Sequence, residues 1–261
     1  MGEIYMYLIE TFVSDNITKK QKSGEFFTPP SVSELLSQII CHKTKNKNIT
    51  KIYDPCCGSG SLLLKIINHI NNNKDFSGQK YKNDIPYYNL KIENGDTLLF
   101  PHQSHLEQKY NIIIANPPFG APWYTNNKEK NKENCDRFYL KGKSIPKKRG
   151  GLAFLMHMLH LLEADGTLGV ILPSGVLCAS TPGVIEFRKF LIENQYIDTI
   201  IQLPLNIFPY VSETTITYIL IIQKYVENQK HQIRFIDASE MHERIKSGIS
   251  LRQLGKKILK I

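Results

Sequence analysis

The sequence has few cysteines, no long apolar run, no internal repeat and a shortage of acidic residues, and each of these excludes something. Its five cysteines (Cys41, Cys56, Cys57, Cys135 and Cys178) form an odd set without CxxC spacing. Cys56 and Cys57 are neighbours, which suits neither a disulfide framework nor tetrahedral metal chelation. The opening MGEIYMYLIETF carries two Glu and no basic n-region, unlike a signal peptide. No apolar run approaches the ~18 residues needed to span a bilayer. Without repeats, a solenoid is excluded. These absences predict a reduced, cytoplasmic protein that enters no membrane and holds no metal.

The apolar content is ample. Hydrophobic residues make up 41% of the 261, with 13 Tyr and 12 Phe, enough for a real core and too much for a disordered chain. Against 24 acidic residues stand 33 basic ones, a net charge of +9. Such a balance points to an acidic partner, nucleic acid first. A solvated, lysine-rich surface would give the same count, and charge alone does not separate the two.

Apolar periodicity organises the chain. Residues 4–13 and 31–40 read as helices, the second opened by Pro29-Pro30 and by Ser31 with Glu34, a capping-box pattern. Ile52-Tyr53-Asp54 reads as a short strand and residues 62–70 as a helix. Leu90-Lys91-Ile92 reads as a strand leading to Asn94-Gly95-Asp96, and 111–115 as a buried strand. Helices over 152–162 and 185–192 alternate with strands over 168–172 and 197–203. The β-branched run 215–222 has no helix before it and is expected to enter the sheet antiparallel; 234–237 adds a last strand. The alternation predicts a doubly wound α/β sheet with ligands at the carboxyl ends of its strands. His157 and His160, three apart on an apolar helix, read as packed or rim residues, and Met241-His242-Glu243-Arg244 as an exposed helix.

Three segments can carry chemistry. Asp54-Pro55-Cys56-Cys57-Gly58-Ser59-Gly60 is a glycine-bearing turn between strand and helix, where backbone can approach a ligand and a helix offers free N–H groups. The plain alternative is an ordinary βα turn. Asn116-Pro117-Pro118-Phe119 follows the apolar run Ile112–Ala115. Its prolines fix the backbone and remove two N–H donors, Asn116 adds a side-chain acceptor, and Phe119 offers a flat face. Acceptors beside an aromatic ring suit the exocyclic amino group of a base; the alternative is a Pro-Pro turn closing a strand. Glu25-Phe26-Phe27-Thr28-Pro29, taken alone, is a loop-to-helix junction.

Together, Glu-Phe-Phe-Thr-Pro (25–29), Asp-Pro-Cys-Cys-Gly-Ser-Gly (54–60), Asn-Gly-Asp-Thr-Leu (94–98) and Asn-Pro-Pro-Phe (116–119) resemble the motifs of N6-adenine DNA methyltransferases. The likeness is greatest to the modification (M) subunit of type I restriction-modification systems. Residues 154–162, 172–177 and 235–239 also resemble that family's later segments, so the resemblance covers roughly residues 3–240.

The resemblance implies a Rossmann-like, S-adenosyl-L-methionine-dependent methyltransferase fold. It implies that Glu25, Phe26, Phe27, Thr28, Pro29 and Pro30 hold this cofactor together with Asp54, Gly58, Ser59, Gly60 and Ser61. Asp96, at the end of its strand, would face the cofactor's adenine amino group. Within the catalytic turn Asn116, Pro117, Pro118 and Phe119, the first two would accept hydrogen bonds from the target amine and Phe119 would stack on the base. The implied partners are double-stranded DNA, a specificity subunit, a restriction subunit and a second M subunit. Residues 123–150 hold seven Lys and two Arg against three acids, a net of +6 directly after the catalytic turn, where a DNA-facing loop would lie.

The sequence also departs from the family. An acid usually meets the ribose about 20 residues past the glycine loop, yet counting from Gly60 reaches Lys80, where family members tend to carry Gln-Glu; Asp84 is the nearest substitute. Only nine residues separate Lys80 from Leu90, too few for a parallel crossover, which takes about a dozen or more. One crossover helix is therefore expected to be missing and the second strand to pair abnormally or not at all. Residues 1–24 read as a remnant of an N-terminal helical region, 25–240 as the catalytic domain and 241–261 as a helical tail. Two competing functions stay open at this point: a cofactor-free remnant that binds DNA or partner subunits, and a methyltransferase acting on RNA or a protein glutamine.

Overall fold

A computed structural model of the chain describes residues 28–45, 47–71, 90–120, 135–140, 143–144, 150–208, 211–224, 232–245 and 248–251. In chain order the elements are α1 (Pro30–Thr44), β1 (Ile52–Tyr53), α2 (Ser61–Asn71), α3 (Gln103–Leu106) and β2 (Tyr110–Ala115). A 3-10 turn (Cys135–Phe138) leads to the short hairpin β3 (Tyr139–Leu140) and β4 (Lys143–Ser144). Then follow α4 (Gly150–Leu161), β5 (Leu162–Pro173), α5 (Ser174–Cys178), α6 (Pro182–Glu193), β6 (Ile197–Gln202), β7 (Thr217–Gln223), β8 (Arg234–Asp237), β9 (His242–Ile245) and β10 (Gly248–Leu251).

Six strands form one sheet in the order β1-β2-β5-β7-β6-β8. β7 runs antiparallel to both of its neighbours and the other pairings are parallel. Alternation along the strands supplies two apolar faces. Ile113, Ala115, Leu220 and Ile222 pack toward α4 and α6, whereas Ile112, Ile114, Ile219 and Ile221 pack toward α1 and α2. A strand buried on both sides must be apolar throughout, and the run Ile112–Ala115 is. α1 lies close on the sheet over Gly169, where a Cβ would come within 2.6 Å of Leu36 Cδ1 and 2.8 Å of Ile40 Cδ1. A salt bridge of 2.7 Å from Lys43 to Asp198 ties the end of α1 to β6.

Three expectations need correction. α1 begins at Pro30, so Ser31 lies inside the helix and cannot act as its N-cap. The Glu34 carboxylate instead accepts from Gln38 at 2.6 Å and meets His69 of α2 at 2.9 Å. Leu90 to Asn94 form no strand and are exposed. Among the described residues nothing pairs with β1 on its outer side. β9 and β10 pair antiparallel where an exposed helix was expected, with Ile249 opposite Arg244 and Leu251 opposite His242. Ile249 and Leu251, two apart on β10, suit a strand's two-residue period. No helix among the described residues is long and apolar enough to cross a membrane.

Candidate functional site

β1, β2, β5 and β6 run in one direction, so the residues that follow them share one edge of the sheet. These are Asp54, Asn116, Ser174 and the segment Leu203–Phe208. Such an edge is where open α/β sheets bind ligands.

After β1 the chain turns through the glycine loop. Gly58 and Gly60 adopt φ of +53° and +74°, the left-handed region that favours glycine, and a Cβ on either would meet nothing within 4 Å among the described residues. The turn is closed by Gly60 N–H donating to Cys57 O at 2.8 Å. Ser61 opens α2, so its free N–H groups face the same turn. Beneath it Asp54 is buried and accepts the Cys56 N–H at 2.9 Å. Burial raises its carboxyl to about 7, opposed in part by the Cys56 backbone and thiol donors. Burial and the nearby Asp54 push the Cys56 thiol well up, against an opposing pull from the Asn116 backbone. The glycine loop and the Asn-Pro-Pro-Phe turn therefore lie side by side.

At that second turn the Asn116 amide donates from Nδ2 to Thr28 Oγ1 at 2.9 Å. Its Oδ1 is buried and has no hydrogen-bond partner among the described residues. Pro117 is buried, while Pro118 and Phe119 are half-buried. The Phe119 ring meets Phe208 edge-on, 5.6 Å between centroids and 69° between planes. Thr28 and Pro29 are buried just ahead of α1, and Pro30 is exposed at its start. Three segments separate in sequence thus converge at the carboxyl ends of β1 and β2: Thr28, the Asp54 loop and Asn116. Glu25, Phe26, Phe27, Lys80 and Asp84 lie outside the described residues.

Asp96 is placed differently from expectation. It is exposed, follows an irregular segment rather than a strand, and accepts the Leu98 and Leu99 N–H groups at 3.0 Å each. The turn it closes is nevertheless fastened to the glycine loop, because Thr97 Oγ1 donates to Pro55 O at 2.6 Å.

Most of the basic stretch 123–150 lies outside the described residues, but Arg137 does not, and it is buried. It bonds His157 and the Leu98 carbonyl and lies 4.8 Å from the Phe138 ring centroid, so it cannot be one of the charges facing DNA. His157 is a packed residue, and His160 lies exposed at the rim. Sequence reasoning missed Arg137, and also Phe208. An apolar pair following a strand of the same direction was the available signal for Phe208.

The sequence model of the N-6 DNA Methylase family matches residues 1–257. A type I restriction enzyme methylase subunit from Mycoplasma pneumoniae is 31% identical over 91% of this chain and 46% of its own. One from Haemophilus influenzae is 25% identical over 92% of this chain and 54% of its own. The solved type I restriction-modification methyltransferase subunit from Streptococcus thermophilus superposes with a TM-score of 0.73 at 29% identity, covering 90% of this chain and 52% of that one. The chain spans about half the length of these relatives.

Proposed function

This chain belongs to the N-6 DNA methylase family, and from that premise we propose that it is the methyl-transferring core of a type I restriction-modification methylase subunit. Its substrate is the N6 amino group of an adenine flipped out of double-stranded DNA. The observation that carries this reading is the buried Asn116 Oδ1, an acceptor without a partner among the described residues, in the turn that follows β2 next to the glycine loop after β1.

The residues present fit S-adenosyl-L-methionine. Gly58 and Gly60 leave open space over their backbone, and α2 offers its N-terminal N–H groups there. Glu25 to Pro30, Asp54, Gly58 to Ser61 and Asp96 would hold it. When bound, it supplies an electrophilic methyl group.

The chain's own residues prepare the amine. An adenine amino group is a poor nucleophile because its lone pair is delocalised into the ring. Asn116 Oδ1 and the Pro117 carbonyl accept its two hydrogens, draw them out of the ring plane and return the lone pair to nitrogen. Pro118 stiffens the turn that presents these acceptors, and Phe119 stacks on the base. Orientation and preorganised acceptors do this work, and no strong base is required. Flipping the base costs a few kcal/mol, which stacking helps to recover.

A specificity subunit would choose the site, with a second M subunit and a restriction subunit completing the cytoplasmic assembly. The relatives' naming as type I restriction enzyme methylase subunits supports this. Calorimetric titration with S-adenosylmethionine is expected to give saturable heat. Labelled methyl from it is expected on duplex DNA when a specificity subunit is present, and Asn116→Ala to lose transfer while keeping cofactor binding. No heat at millimolar cofactor would leave a non-catalytic remnant, and label on RNA or protein alone would overturn the DNA reading.

A further inference from the structure

We propose that Thr28 is a positioning residue for Asn116: its hydroxyl takes the amide N–H of Asn116 and holds the side chain with the buried Oδ1 presented to the target amine. This rests on the methyl-transfer reading above and adds to it a role that cofactor binding does not require of Thr28.

The two ends of an asparagine amide are nearly the same shape, and hydrogen bonds decide which way it points. Thr28 lies 88 residues from Asn116 in sequence, and its Oγ1 sits 2.9 Å from Nδ2. With Nδ2 occupied, the buried and unpartnered end is a carbonyl oxygen, which tolerates an empty shell better than an N–H donor does. Reversed, the amide would aim two hydrogens at the spot where the amine's own hydrogens must arrive, and the two sets of donors would repel. The orientation seen is the one that can accept from an amine.

Thr28 is itself held rigidly. Pro29 and Pro30 restrict the backbone that follows it. Lys65 of α2 donates to the Pro30 carbonyl at 3.0 Å and to Ser33 Oγ at 3.1 Å, pinning the start of α1. Close packing of α1 over Gly169 fixes the helix against the sheet that carries Asn116. The hydroxyl is thus a fixed point on one wall of the site aimed at the acceptor on the other. It also joins the segment assigned to the cofactor to the turn assigned to the base.

The test uses the full chain with Thr28→Val, which keeps shape and loses the hydroxyl, and Thr28→Ser, which restores it. In NMR spectra the Asn116 side-chain amide pair is identified by its loss in Asn116→Ala. Its exchange with solvent is expected to be slow in the wild type and Thr28→Ser and fast in Thr28→Val. In methylation assays with a specificity subunit and saturating cofactor, Thr28→Val is expected to lower kcat about 100-fold, and to have no further effect when Asn116 is already Ala. Unchanged amide exchange in Thr28→Val overturns the proposal, as does loss additive with Asn116→Ala or confined to cofactor affinity. Should the wild type fail to methylate at all, the methyl-transfer reading falls, while amide exchange still decides whether Thr28 holds Asn116.

Discussion

Arg137 donates from Nη1 to His157 Nδ1, and both side chains are buried. An arginine can only donate, so Nδ1 accepts, and the neutral ring carries its proton on Nε2, 3.2 Å from Tyr53 Oη. Burial, reinforced by the Arg137 charge, holds His157 down to about 3. Between about 3 and 6.5 the unfolded chain binds a proton that the native chain refuses. Stability therefore falls as pH drops through that window, by a few kcal/mol at most. His157→Gln keeps a donor and an acceptor but cannot titrate. In urea denaturation across pH it should gain stability relative to wild type below about 6.5. Parallel curves for the two proteins would refute the neutral, arginine-bonded imidazole.

The same guanidinium braces the turn beside the glycine loop. Its Nη2 donates to Leu98 O at 3.0 Å, while Asp96 accepts the Leu98 and Leu99 N–H groups from the other side. Arg137→Met would leave the Leu98 carbonyl and His157 Nδ1 without their donor. Part of that cost is returned, because the cation is itself buried with Nε unpartnered and no carboxylate beside it among the described residues. The net loss is expected at about 1–3 kcal/mol. Hydrogen exchange should accelerate at the Leu98 and Leu99 amides and stay slow in β2. Equal protection in both proteins would show that the brace carries no load.

Asp54 works in the opposite sense to His157. Burial lifts its carboxyl from 3.8 to about 7, so across that window the native chain holds a proton that the unfolded chain has released. Its contribution to stability is full below pH 4 and is lost as pH rises through 7. Asp54→Asn still accepts from Cys56 N–H without titrating. It should gain on wild type as pH rises from about 4 to about 7, as read from denaturation midpoints. A constant difference between them would mean that Asp54 is ionised throughout.

What the sequence made legible was whatever depends on period and punctuation. The run Ile112–Ala115 read as a buried strand because it is apolar throughout, and the structure buries it on both faces. The antiparallel entry of β7 followed from a β-branched run with no helix before it. The adjacency of Asp54 and Asn116 is a consequence of parallel pairing between β1 and β2. Arg137 stayed hidden because burying a cation is favourable only where acceptors from distant segments meet it, here Leu98 and His157, and composition carries no trace of that. The capping pattern at Ser31 misled for a related reason: Glu34 finds better partners on α2.

Phe208 bears on the last prediction. It is buried and meets Phe119 edge-on. The ring pair contributes about 0.5–1.5 kcal/mol beyond its burial, and stacking of a base on Phe119 contributes about 1–3 kcal/mol. Phe119→Leu should therefore lose in both folding stability and DNA affinity. Phe208→Leu should lose mainly in stability, through its buried ring, and weaken DNA only as far as it lets Phe119 turn. A double-mutant cycle read by urea denaturation isolates the ring pair, and the same cycle read by duplex affinity isolates its hold on the base. Phe119→Leu binding DNA as tightly as wild type would assign that ring to the core alone, leaving the acceptors of Asn116 and Pro117 to hold the base without a stack.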